Sequence, residues 1–430
     1  MAKTYRPYFP EQDLLLPPSL QDWLSEGHLA YFVSDVVDQL DLSAIEAYYE
    51  KEERGYPPYH PRMMVKVLVY GYCVGVFSSR KLQKRLQEDV GFRVLAAGNE
   101  PDFRTLSDFR KLHLETLQRL FEQVLQMALE VGAVKVGCVA IDGSKIKANA
   151  SKHKAMSYGR MKADQKRLKQ EVQQLLAEAE RTDAEEDARY GDQSGDELPA
   201  ELQRREERLR RIRQAKRALE ERVRQDAEAK GEDSARTKPD EKAQYNFTDP
   251  ESRILKGPDG FLQGYNAQVA VEAETQLIVA QTVTQAANDK QQLIPMIDEV
   301  EQQSGQKPEE VLADSGYASE ENLKATEGAE VDVYVAVAGD KHDQPQSRCP
   351  RGPIPQGATR IARMRRKLKT KVGRAIYARR KTIVEPVFGQ IKQAQGFRQF
   401  LLRGLKKVQG EWALVCMAHN VLKVHRMVYS

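Results

Sequence analysis

The sequence predicts a multidomain α + α/β protein. A helical N-terminal part leads into a mixed sheet with flanking helices, and a long charged helical hairpin interrupts that sheet. Three observations predict this. Apolar residues recur at helical spacing through the first third of the chain. Short β-rich runs, apolar on both faces, begin at 136 and return beyond 265. Between them, 152–245 is dominated by Lys, Arg, Glu, Gln, Leu and Ala, with opposite charges three and four residues apart. At 430 residues the chain can hold two or three domains with substantial cores.

Residues 1–135 read as a helical domain. Leu114, Leu117, Phe121, Leu125 and Ala128 fall on one helical face, and Met64, Val67, Leu68 and Tyr72 on another. Pro61 stands near the start of the second helix, where a missing N–H does no harm. Several short helices with loops such as 98–103 suit a compact bundle that can contain a helix-turn-helix. Arg80, Lys81, Lys84 and Arg85 give it one basic face, which serves DNA or is simply solvated.

Residues 136–151 and 246–430 read as the sheet-bearing domain. The run 136–147 turns Val136, Cys138 and Ala140 one way and Val139 and Ile141 the other, as a central strand does. Strand signals follow at 265–272, 277–284, 310–313 and 331–337, with helical stretches at 289–303 and 319–326: three strands in meander, then strands alternating with helices. The insertion, 152–245, reads as two solvated helices, 156–180 and 200–230, with Leu168, Val172 and Leu175 as a narrow apolar stripe. The acidic, turn-rich segment 182–199 reads as their flexible connector.

Composition narrows the function classes. No stretch approaches the ~20 uninterrupted apolar residues of a membrane span, and 1–13 do not resemble a secretory signal. Cys73, Cys138, Cys349 and Cys416 are far apart and form no CxxC pair; reduced thiols in a cytosol are expected. Cys349 with His342 falls short of the four ligands of a zinc site. The charge is unevenly placed. Of 67 basic and 63 acidic residues, sixteen basic ones fall between Arg360 and Lys407, with a single acidic one, Glu385. A lone carboxylate in so positive a field is held ionised beside phosphate or metal, or is incidental to a basic tail.

Two further carboxylates stand at strand ends. Asp142 follows Val139-Ala140-Ile141 and precedes Gly143-Ser144; Asp314 follows Val311-Leu312-Ala313 and precedes Ser315-Gly316-Tyr317. A strand end beside a glycine turn exposes a side chain to a ligand crevice while its backbone stays fixed. Mg²⁺ favours such oxygens and keeps waters that phosphate can replace; two ions together suit phosphodiester chemistry. For either Asp alone, a turn or cap role is the simpler reading. Asp289 rivals Asp314 as second ligand, but it precedes a helical stretch and reads better as an N-cap. Around Glu385, Ile383, Val387 and Ile391 form a packed face, with Lys381 and Lys392 on the other side. Pro386 predicts a kink or a fresh helix start directly after Glu385.

The segments 141–148 (IDGSKIKA), 312–317 (LADSGY) and 377–392 (YARRKTIVEPVFGQIK) resemble the catalytic signatures of DDE transposases of bacterial insertion sequences. The third resembles the Tyr-Arg-Glu-Lys signature of one branch, with Tyr377, Arg380, Glu385 and Lys392 in the four positions. The gap from Arg380 to Glu385 is one residue longer than usual, which leaves Arg379, Arg380 and Lys381 open for the arginine's role. Segments 16–24, 60–72 and 101–113 look like the helical N-terminal domain of these enzymes.

The resemblance implies an RNase H-like catalytic domain in which Asp142, Asp314 and Glu385 bind two Mg²⁺ (or Mn²⁺) ions, cut the element ends and join the freed 3′-OH to target DNA. Arg380 and Lys392 would hold flanking phosphates. Tyr377 would stack on a base, bond a phosphate, or anchor its helix. Arg398 and Arg403, with the run 360–371, would grip the duplex backbone. The expected partners are double-stranded DNA, both terminal inverted repeats and target, and a second copy in a synaptic homodimer; the expected location is cytoplasmic, at the nucleoid. The competing readings are an RNase H-like nuclease without strand transfer and a non-catalytic DNA-binding derivative.

Overall fold

The computed structural model describes residues 19–50, 57–190, 200–229, 237–257, 260–327, 330–337, 352–355 and 357–429. Seven helices come first: α1 (Leu29–Gln39), α2 (Ser43–Tyr49), α3 (Pro61–Cys73), α4 (Ser79–Glu88), α5 (Val90–Leu95), α6 (Phe103–Leu112) and α7 (Leu114–Glu130). Their starts follow from the sequence. His60 Nδ1 accepts the Arg62 N–H ahead of α3, with Pro61 in its first turn. Asp102 accepts the N–H groups of Arg104 and Thr105 at 2.7 and 2.8 Å at the head of α6. The predicted apolar faces of α3 and α7 are buried. Arg80, Lys81, Lys84 and Arg85 are exposed on α4, with Lys84 and Arg85 paired to Glu88 and Asp89.

The sheet is built from β1 (Cys138–Lys147), then, beyond the insertion, β4 (Arg253–Gly257), β5 (Gly260–Glu272), β6 (Ile278–Thr284), β7 (Glu310–Ala313) and β8 (Asp332–Val335). The short strands β2 (Ala155–Ser157) and β3 (Gln244–Asn246) form a separate ladder. β1 lies in the middle, antiparallel to β5 and parallel to β7, and β8 continues parallel to β7. β4 and β6 pair end to end with β5. The expected strands are all present; β2, β3 and β4 were not anticipated, and β2 takes Met156 and Ser157 from the predicted helix.

Between β2 and β3 run α8 (Tyr158–Tyr190) and α9 (Ala200–Ala229). Met161 and Leu168 pack with Leu209, Ile212 and Leu219. Ion pairs join Asp164 to Arg208 at 3.5 Å and Glu171 to Arg205 at 3.3 Å. The predicted connector is corrected in part: 182–190 continue α8, because Ala, Glu and Arg are good helix formers. Its remainder, 191–199, lies outside the described residues, as do His342 and Cys349. Cys73, Cys138 and Cys416 are free thiols.

After β6 come α10 (Leu293–Ser304), α11 (Glu320–Thr326) following β7, and then α12 (Arg360–Lys369), α13 (Lys371–Ala378), α14 (Arg380–Gly389), a π-turn (Gln390–Ala394) and α15 (Leu405–Tyr429). α15 is the central helix: Gly410 through Val421 are all buried. Its amides finish the outer edge of β6. Asn420 accepts the Ile278 N–H and donates to the Ile278 carbonyl, both at 2.8 Å. Gln303 of α10 does the same for Gln281 at 3.0 Å. An edge strand closed this way offers no unpaired ladder to another chain. Among the described residues no helix is long and apolar enough to cross a membrane.

Candidate active site

The parallel register pairs Ile141 with Ala313, so Asp142 and Asp314 each stand one residue past the last row that β1 and β7 share. Asp314 follows its strand as expected, but Asp142 does not end one: β1 runs on to Lys147, held by β5, with Asp142 and Gly143 opposite Val269 and Gln268 and no turn between them. Asp314 is held by its own turn, its Oδ1 accepting the Gly316 N–H at 2.8 Å. Asp142 accepts the Gly143 N–H at 2.8 Å and forms an ion pair with Arg380 of α14 at 3.3 Å. Burial pushes the Asp142 carboxyl up to about 6; Arg380 pulls it down and Asp314 pushes it further up, so the two carboxylates share one field. Burial opposes the Arg380 charge, but Asp142, Tyr377 and Asp314 outweigh it and hold the guanidinium above its ordinary value. Tyr377 is half-buried and bonded to Arg380; burial raises its hydroxyl.

Lys392, in the π-turn, places its ammonium against the Ser144 hydroxyl, two residues beyond Asp142. Burial lowers its pKa while Asp142 raises it. Thus α14 and its π-turn approach β1 at both ends, Arg380 at Asp142 and Lys392 at Ser144. Glu385 lies between them along the helix, on an exposed face. The structure brings together Asp142, Asp314, Arg380 and Tyr377, with Lys392 alongside. It does not gather Glu385 into that group: among the described residues no cluster of three or more His, Cys, Asp or Glu is placed to hold a metal ion.

The helix itself corrects one expectation. α14 begins at Arg380 and runs through Pro386, so no fresh start follows Glu385. Proline removes the donor for the carbonyl four residues earlier, Thr382. That carbonyl is taken instead by Gln276 Nε2 at 2.8 Å. A side chain from the β5–β6 turn thus replaces the missing helical bond.

The other proposed contacts are spread along the basic surface. Arg379 and Lys381 are exposed beside Arg380. Arg398 is exposed and donates to the Lys392 carbonyl at 3.1 Å; Arg403 donates to the Asn149 carbonyl at 2.9 Å. On α12 some cations are engaged internally: Arg360 pairs with Glu327 at 2.8 Å, and Lys367 meets Asp332 and lies 3.8 Å over the Tyr334 ring.

Asp289 does not cap a helix. α10 begins at Leu293 with Gln292 at its cap position, and the Asp289 carboxylate turns instead to Lys145 (3.0 Å), Asn266 (2.6 Å) and Gln268 (2.7 Å). Gln268 in turn meets the Tyr317 hydroxyl. Sequence reasoning missed Ser144, Lys145, Gln268 and Tyr317. The available signal was polarity recurring at alternate positions of two buried strands, Gly143 and Lys145 opposite Gln268 and Asn266.

Two family matches lie along the chain. A Transposase DDE domain covers residues 242–421, and a Transposase domain (DUF772) covers 18–112; together they span more than half of it. The chain belongs to the DDE transposases of insertion sequences. No curated protein and no solved structure matches it. Membership implies DNA as substrate, transposition as the process, and divalent metal ions as cofactor. The DDE match of this transposase contains Asp314, Glu385 and Lys392. Asp142 falls outside both matched stretches, and it is the pairing of β1 with β7 that joins it to Asp314. The donor types suit a hard divalent ion: Asp142 and Asp314 are oxygen donors on neighbouring strands, near enough that one raises the other's pKa. Here Arg380 supplies the balancing charge.

Proposed function

We propose that this transposase cuts the ends of its element and joins the freed 3′-OH to target DNA, with Asp142, Asp314 and Glu385 holding two divalent ions, Mg²⁺ or Mn²⁺. The observation that carries the reading is the pair of carboxylates in one row of adjacent parallel strands, Asp142 inside β1 and Asp314 directly after β7, with Arg380 of the cation-rich α14 set against one of them. Ions bound there supply Lewis acidity for the attacking oxygen and charge neutralisation for the leaving one. The chain's own residues do the rest. Asp142, inside β1, and Asp314, directly after β7, fix the centre on the sheet. Arg380 holds a phosphate flanking the scissile bond with its planar fork, and Lys392 holds another as a point charge. Glu385, exposed between them, completes the centre from the helix side when DNA lies along α14. Tyr377 keeps Arg380 in place from behind.

In the first step water attacks phosphorus, the bond to the 3′-oxygen breaks, and a 3′-OH and a 5′-phosphate result. In the second, that hydroxyl attacks a target phosphodiester and displaces the target strand's 3′-oxygen, so phosphodiester number is conserved.

The layout we read has a DNA-binding helical domain (1–135), an RNase H-like catalytic domain (136–151 and 246–430) and a helical hairpin insertion (152–245). A central β1 with antiparallel strands on one side and parallel strands on the other supports the RNase H-like part. Charge pairs that rise along α8 as they descend along α9 support the hairpin. Arg379, Lys381, Arg398 and Arg403 contact the duplex backbone; a homodimer brings the two ends together, in the cytoplasm at the nucleoid.

The test uses DNA carrying the inverted repeats that flank the coding region, either intact or pre-cleaved to a 3′-OH, with Mn²⁺. Wild type should cut the first and join the second to a plasmid, and Asp142→Asn, Asp314→Asn and Glu385→Gln should do neither. Cutting without joining would turn the reading into a nuclease. Full activity in the Asp142 and Asp314 variants would end it.

A further inference from the structure

The groups behind the strand, on the face opposite the Asp142 side chain, have no part in the reaction proposed above. Alternation along β1 turns Asp142 and Ser144 to one face and Gly143 and Lys145 to the other. Against that second face lies Asp289, largely buried, with its two oxygens occupied by Lys145 of β1 and by Asn266 and Gln268 of β5. Lys145 cancels its charge, so it adds little to the field at Asp142. No helix uses it as a cap.

It lies close to both acid-bearing segments, the Asp142–Gly143 stretch of β1 and the turn after Asp314. A Cβ at Gly143 would lie 2.7 Å from Asp289 Oδ1 and 2.1 Å from Gln268 Nε2. A Cβ at Gly316, whose N–H holds Asp314, would meet Asp289 Oδ2 at 3.6 Å. Gln268 extends the same contact: its amide donates to Asp289, and its carbonyl receives the Tyr317 hydroxyl from the turn after Asp314. Trp412 of the buried central helix holds the Gln268 backbone carbonyl at 3.2 Å.

We propose that Asp289 is a positioning residue: with Gln268 as relay to Tyr317, it locks the Asp142–Gly143 segment against the Asp314–Gly316 turn and sets the spacing of the two carboxylates. The proposal rests on the reading of Asp142 and Asp314 as metal ligands. Groups that orient ligands from behind commonly change metal affinity by about 10–100-fold when altered.

The test is Mn²⁺ binding to the full chain, measured by calorimetry, alongside thermal melting of each variant. Asp289→Asn should weaken Mn²⁺ about tenfold, but it also removes a charge, so two variants separate position from charge. Asp289→Glu keeps the charge and has no room for its extra methylene between Gly143 and Gln268. Gln268→Ala cuts the relay with no change of charge. Both should weaken Mn²⁺ by about as much as Asp289→Asn, and neither needs the other to fold. If Asp289→Glu and Gln268→Ala bind Mn²⁺ as wild type does, whatever their melting temperatures, the lock is refuted and Asp289 is merely structural. Asp142→Asn is the reference: if it leaves Mn²⁺ binding unchanged, the ligand reading fails, a different outcome from loss of the lock alone.

Discussion

The central helix α15 carries two buried ionisable groups whose effects on stability run in opposite directions, and separating them tests the account of its burial. Glu411 is fully buried and accepts the N–H groups of Leu401 and Leu402 at 3.0 Å. Burial raises its carboxyl from 4.5 to about 7, against the pull of those N–H groups and of Arg110. His419, two turns on, is also fully buried, with Nε2 3.0 Å from the Gln276 carbonyl, so the neutral ring donates there. Burial lowers its pKa from 6.5 to about 4. The native state keeps a proton on Glu411 that the unfolded chain loses between 4.5 and 7. That contribution is therefore complete below 4.5 and lost as pH rises to 7. The unfolded chain protonates His419 between 6.5 and 4 while the native state resists, so that contribution is complete above 6.5 and lost as pH falls. Each interval is worth about 3 kcal/mol. In the wild type the two losses offset one another between 4.5 and 6.5. Glu411→Gln removes one side. Relative to wild type it should gain up to about 3 kcal/mol as pH climbs from 4.5 to 7, on top of a constant cost for the altered hydrogen bonds. Urea unfolding followed by the fluorescence of buried Trp412 across that range measures it. A difference that stays flat with pH, or slopes the other way, would mean Glu411 is ionised beside Arg110 in the native protein and the burial argument is wrong.

Three further outcomes follow from single contacts. Gly143→Ala puts a methyl 2.1 Å from Gln268 Nε2; the amide must leave Asp289, costing roughly 1–3 kcal/mol in calorimetry, and a variant that melts like wild type contradicts the packing. Gln276→Ala orphans the Thr382 carbonyl and should cost about 1 kcal/mol, a cost that shrinks once Pro386→Ala restores the helical N–H; equal costs in both backgrounds would deny the substitution of one donor for the other. Lys392→Ala removes one proposed phosphate contact, so the slope of log affinity against log salt on a generic duplex should flatten by about 0.9. An unchanged slope in fluorescence anisotropy places Lys392 away from the DNA backbone.

Much of the scaffold was readable because it follows from burial. β1, β5 and β6 are apolar on both faces and could only be covered strands, and the stripes of α3 and α7 could only face a core. β4 escaped because Arg253-Ile-Leu-Lys-Gly has too few apolar residues to show a period; it is a strand because β5 offers it a ladder. α8 overran its predicted end because an acidic composition reads as solvated whether or not it is helical. At the site, each carboxylate was visible alone, but Asp142 was misread as ending its strand, since Gly143 reads locally as a turn, and the adjacency of the two comes from parallel pairing of segments far apart in the chain. Asp289 was misread for a related reason. Local sequence offers an Asp a cap, whereas the partners that claim it, Lys145, Asn266 and Gln268, arrive only with the sheet.

The continuity of α14 through Pro386 bears on how Glu385 is presented. Had the proline restarted the helix, Arg380 and Lys392 would belong to two segments free to pivot, and the ion pair at Asp142 would say nothing of where Glu385 points. Gln276 takes the carbonyl that proline leaves without a donor, and one continuous helical rod runs from Arg380 into the π-turn. That rod is fixed to β1 at Asp142 and again at Ser144. Its apolar side, Ile383, Val387 and Ile391, is buried, which leaves rotation about its axis no freedom. The exposure of Glu385 is then a consequence of register: with both ends indexed to the strand and one face in the core, the lone acid of the cationic segment is turned toward the surface its neighbours make attractive to phosphate. On the function proposed above, DNA laid on that surface would meet Glu385 before Asp142, and the Arg380 guanidinium, already beside Asp142, is the group it would have to draw away.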